Sequence, residues 1–151
     1  MKAPNLEVKI GVGIDEFLFG ISREILKEKM GEPDEIEEND EGDEEEGKIE
    51  IWHYDDLECS VEFIEGNNWQ LSAIAINSEE CTMAGVKIMG KTLGEITSLI
   101  DALSLGEYES EKIDVGDGND IVLLSVFDAG LNFWFEAGIL TELQMVETGE
   151  E

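Results

Sequence analysis

Between Leu57 and Phe63, four apolar residues (Leu57, Cys59, Val61, Phe63) alternate without a break with Glu58, Ser60 and Glu62. Side chains on a strand point to opposite faces in turn, so this order fits a half-buried strand and no amphipathic helix. Its neighbours behave alike. Residues 49–54 lead into it through Asp55 and Asp56, and a turn at 65–68 leads out into a further apolar run, 71–76.

Helix signals bracket these strands. Ser22 can cap a helix ending near Met30, where Gly31 suits a positive φ and Pro33 blocks continuation. Thr92 can cap a second, in which Ile96, Leu99, Ile100 and Leu103 fall at i, i+3, i+4 and i+7. After it, residues 106–119 read as a polar, glycine-rich loop. Residues 121–127, 131–135 and 140–145 then read as strands parted by turns at Asp128-Ala129-Gly130 and Ala137-Gly138. Ser22 and Thr92 are 70 residues apart, while Asp56 and Asp128, Phe63 and Phe135, and Gly66 and Gly138 are 72 apart. These offsets predict an α+β fold with an internal duplication of a helix–loop–antiparallel β-meander unit, its helices packed on one face of the sheets. The units are expected at 1–80 and 81–151 within a single compact chain, with residues 6–14 and 86–89 adding an edge to each sheet.

Charge bounds the function. Among 151 residues, 38 Asp and Glu face nine Lys and Arg, a formal net charge of −29. Such a field repels nucleic acid and anionic membranes and draws in basic partners. It is densest in the acidic loop 32–47, which has eleven carboxylates, no base before Lys48 and only Ile36 to bury, and so reads as mobile. Its candidate steering groups are Asp34, Glu35, Glu37, Glu38, Asp40, Glu41, Asp43, Glu44, Glu45 and Glu46. A solvated insert without a partner is the plain alternative. Trp52, Phe63, Phe133 and Phe135 suit a core. Trp69 lies in a stretch without a counterpart and Trp134 faces away from its neighbours, which makes these two the candidate partner-binding anchors.

Nothing points to catalysis, a cofactor or a metal. The one histidine, His53, has no local nucleophile or orienting carboxylate, and a pairing with Cys59 across the turn lacks a third member. Residues 114–121 faintly follow a calcium loop, but glycines stand where oxygen ligands belong. No phosphate-binding glycine motif occurs. With no apolar leader and no long apolar run, the expected compartment is the cytoplasm, with Cys59 and Cys81 as reduced thiols. Like charge favours a monomer, and an exposed sheet edge is the route to a homodimer.

The stretches Phe19–Ile25, Met30-Gly31-Glu32-Pro33 and Trp52-His53-Tyr54 resemble the helix–turn–strand pattern of BamE/SmpA-type lipoproteins. A tandem of such units is similar to the β-lactamase inhibitor protein architecture. Without an export signal or lipid-attachment cysteine, the acidic chain is in these respects similar to immunity proteins of bacterial polymorphic and contact-dependent growth inhibition toxin systems. That resemblance implies an inhibitor that binds a cognate basic toxin, such as a nuclease, without touching nucleic acid or membrane. A DNA-mimic regulator of a nucleic-acid-binding protein is the alternative.

Overall fold

A computed structural model describes residues 6–14, 17–39, 47–114 and 120–146. In chain order the elements are β1 (Glu7–Lys9), β2 (Gly13–Ile14), β3 (Phe17–Leu18), α1 (Arg23–Met30), β4 (Glu35–Asn39), β5 (Ile49–Tyr54), β6 (Cys59–Ile64) and β7 (Gln70–Ile76). They continue as β8 (Thr82–Met83), β9 (Val86–Lys87), α2 (Leu93–Ala102), β10 (Glu109–Asp114), β11 (Asp120–Val126), β12 (Leu131–Glu136) and β13 (Ile139–Val146).

The alternation read over 57–63 is borne out from Cys59 on, in β6, where Cys59, Val61 and Phe63 are buried and the residues between them are not, while Leu57 ends a short 3-10 turn before the strand. The same pattern fills β12, and together these strands belong to one eight-stranded antiparallel sheet ordered β10-β11-β12-β13-β7-β6-β5-β4. A second, five-stranded sheet is ordered β3-β2-β1-β8-β9, antiparallel except where β1 and β8 run parallel.

The expected α+β fold, a repeated helix–loop–meander unit under a layer of helices, is not what forms. Strands dominate, and the two helices, of eight and ten residues, bury only Leu26, Ile96 and Ile100 fully between them. Three side chains cannot cover an eight-stranded sheet. Residues 6–14 and 86–89 do not lengthen the large sheet either. Paired through β1 and β8, they build the small sheet, whose Val8, Ile14, Phe17 and Met83 join the same core cluster as Phe63, Ile74, Phe133 and Leu143 of the large one. Phe17 meets Tyr54 edge-on with ring centroids 5.3 Å apart. Gly13 permits the small sheet's tightest point: a Cβ there would lie 2.1 Å from the carbonyl oxygen of Phe17.

Helix starts follow the sequence closely. Ser22 accepts a hydrogen bond from the Ile25 amide, and Thr92 with Glu95 forms a reciprocal capping box. Both caps are tied to the large sheet, Ser22 bridging to Gln70 of β7 and Thr92 to Ile139 of β13.

Cys59 and Cys81 are buried in the core and not joined in a disulfide, and burial, reinforced by Glu7, pushes the Cys81 thiol up to about 12. Neither cysteine is expected to react within minutes with a neutral aromatic disulfide at pH 8, while both react in 6 M guanidinium (about 6 M being enough to unfold most domains). Stoichiometric labelling of the native protein would show the core placement to be wrong.

Candidate functional site

Opposite the core, the alternate residues of β5, β6, β7, β12 and β13 form an outer face of mostly half-buried side chains. One row crosses all eight strands in register: Glu35, His53, Ser60, Ala75, Gln144, Asn132, Ser125 and Glu109. At about 4.8 Å between strands the row spans about 34 Å. Its middle is short and polar and its two ends are carboxylates. Beside it runs a second row, Glu142, Trp134, Leu123 and Glu111.

The acidic segment is the largest departure from expectation. Residues 35–39 are not loop but strand β4, paired to β5 from Glu35↔His53 to Asn39↔Ile49, with all five residues exposed. Backbone pairing needs no apolar side chain, so β5 recruits this segment despite its composition. Residues 109–114 were likewise expected as loop and form β10, the other outermost strand.

The candidate residues separate accordingly. Glu35, Glu37 and Glu38 stand on β4, whereas Asp34 precedes it and accepts a hydrogen bond from the Asp55 amide at 2.7 Å, bracing the β5–β6 turn. Asp40, Glu41, Asp43, Glu44, Glu45 and Glu46 lie outside the described residues. Trp134 does face the outer side, half-buried, its indole N–H donating to Gln144 Oε1 at 3.4 Å. Trp69 does not share that face. It packs against the core with φ +56°, and the Arg23 guanidinium sits 4.4 Å over its ring. Arg23 also pairs with Glu50 at 3.0 Å, and Glu50 accepts from the Trp52 indole at 2.9 Å, so this cluster ties α1 to β5. The calcium-like stretch falls on β10, β11 and the undescribed residues 115–119.

His53 has the partners that the sequence did not reveal. Its Nδ1 lies 2.7 Å from Ser60 Oγ and its Nε2 2.5 Å from Glu37 Oε1. A carboxylate only accepts, so in the neutral tautomer Nε2–H donates to Glu37 and Nδ1 accepts from the Ser60 hydroxyl. The signal was cross-strand: Ser60 pairs with His53 directly, and Glu37 sits diagonally across β4. Hydroxyl, imidazole and carboxylate here fasten three strands together on an open face. Cys59 is excluded as a partner, because it is buried on the face opposite His53.

Next to Ser60, a groove of about 310 Å³ is lined by Asp55, Glu58, Ala75, Asn77 and Glu142 among others. Burial, with Glu136 nearby, raises the Glu142 carboxyl above the usual carboxylate range. The folded state therefore binds this proton more tightly than the unfolded chain, and an ionised Glu142 destabilises the fold at neutral pH. Glu142→Gln is expected to raise Tm by about 1–3 °C at pH 7, a modest figure because the group is only half-buried. The gain shrinks as the pH falls through the raised pKa and the wild-type carboxyl takes up its proton. Thermal melts between pH 4 and pH 8 read it directly, and a gain that grows on acidification would reverse the assignment.

No protein-family model matches the chain, and no curated protein does. An extracellular protein containing a SCP domain from Bacillus anthracis str. Ames shares 16% identity and a TM-score of 0.45, over 85% of this chain and 43% of that one. The chain thus spans less than half of that protein, and so distant a likeness carries no inference. Among the described residues no helix is long and apolar enough to cross a membrane, and no group of three or more His, Cys, Asp and Glu is arranged to hold a metal ion.

Proposed function

We propose that this chain is an acidic inhibitor that captures a basic protein, acting in the cytoplasm as the immunity partner of a bacterial toxin such as a nuclease. The carrying observation is the row of residues across the open outer face, polar at its centre and ending in Glu35 and Glu109, with Trp134 beside it. Carboxylates at the rim accelerate encounter with a cation-rich surface, and an aromatic anchor near the centre slows release. Binding rather than bond-making does the work.

The test is co-expression with each toxin-like frame encoded nearby, followed by pull-down at graded salt. Rescue of growth together with one specific complex surviving 0.3 M salt (a Debye length of about 6 Å) supports the reading. Failure to bind any basic protein encoded nearby would end it.

A DNA-mimic regulator is supported by one observation. Glu35 and Glu37 project from the same face of a strand, about 6.8 Å apart, which gives regular spacing to charges that a flexible loop would scatter. Release of a DNA-binding protein from duplex, with no toxin rescued, would favour it.

A further inference from the structure

Resting on that reading, we infer that the basic partner is held by strand addition: an extended basic segment pairs with β4 and becomes the ninth strand of the large sheet. Among the described residues β4 ends the strand order, with β5 its only partner strand. An outermost strand presents a ladder of backbone donors and acceptors along its free side, a template for another chain.

The side chains state the sign of that chain. Glu35 and Glu37 lie on the outer face, and Glu38 stands directly opposite Glu50. Like charges opposed across strands destabilise a pair. Arg23 pairs with Glu50 and offsets that opposition, which leaves the outer-face carboxylates of β4 as the groups that a cation at the free edge would meet. Ile36, exposed at 49%, offers an apolar contact between the carboxylates. A strand of three glutamates, one isoleucine and one asparagine has poor intrinsic preference for the extended state. An incoming strand with Lys or Arg against Glu35 and Glu37 and an apolar residue against Ile36 supplies both missing contributions. A second copy of this chain would instead bring these glutamates against their own counterparts, at a net charge of −29 on each molecule. The same carboxylates that forbid self-pairing thereby select a basic strand.

The probes are two octapeptides of alternating Lys and Val, one unmodified and one N-methylated at every backbone amide. Their charge is the same, but the second cannot pair as a strand. Binding to the full chain is read by titration in about 0.15 M salt, where exposed charges are largely screened, and by amide exchange. The unmodified peptide should bind at least about tenfold more tightly, with slowed exchange confined to β4. In Glu35→Lys that binding should fall about tenfold while Tm changes little, because Glu35 is exposed on β4 and stands against a Lys of the incoming strand. Equal binding of both peptides overturns strand addition yet leaves capture of basic proteins standing, whereas no binding of either even at low salt removes both. Protection at β10 or on the outer face, or a dimer formed through β4, also overturns it.

Discussion

Replacing Phe133 with alanine is expected to cost about 3–5 kcal/mol and lower Tm by about 10 °C or more, while Trp134→Ala changes stability by less than about 1 kcal/mol. Phe133 is fully buried and faces Leu124 and Leu143 across the ladder, both equally buried. Truncation there leaves a cavity that two neighbouring strands cannot close without breaking register. Trp134, one residue on, lies on the outer face and loses only partial burial and a long hydrogen bond to Gln144. Its loss should appear instead as faster release of a basic partner. Chemical denaturation of the two variants checks the pair. If the costs were exchanged, β12 would be shifted by one residue and every side chain on it inverted.

Raising NaCl from 10 mM to 0.5 M is expected to increase Tm by about 5–10 °C. Two like charges 10 Å apart in water repel by about 0.4 kcal/mol, and shortening the Debye length from about 30 Å to about 4 Å removes most of that. Folding gathers 38 carboxylates against nine bases into a smaller volume, so screening favours the folded state. A scanning calorimetry series reads the shift, and a sulfate series separates it from the general salting-out effect on apolar surface. A melting temperature flat across this range would mean that the acids are spaced or paired well enough to cancel.

The legible parts of the fold were those with two faces. Alternation marked β6 and β12 because one side of each is core and the other is not, and Ile96 and Ile100 marked α2 for the same reason. Both outermost strands of the large sheet have the sequence character of loop. β4 is exposed at every position, and β10 carries Glu109, Glu111, Lys112 and Asp114. An edge strand is held by backbone pairing on one side and need bury nothing, so its sequence carries no periodic trace. The small sheet was misassigned for another reason. Its strands are two or three residues long, and the parallel pairing of Glu7 and Val8 with Thr82 and Met83 joins segments 75 residues apart. No local pattern encodes such a partnership. The Ser60–His53–Glu37 group was hidden likewise, since its members meet only once three strands are in register.

The pairing of β13 with β7, from Leu143↔Ile76 to Val146↔Ala73, also governs how the molecule is made. A nascent chain exposes the unfinished edge of β7 until β13 has left the ribosome, roughly 70 residues later, or several seconds at about 5–20 residues per second. During that interval the large sheet is incomplete and its central seam is open to mispairing. Any stalled or truncated product lacking β13 would therefore be a target for chaperones and proteases, and only the finished chain closes the sheet.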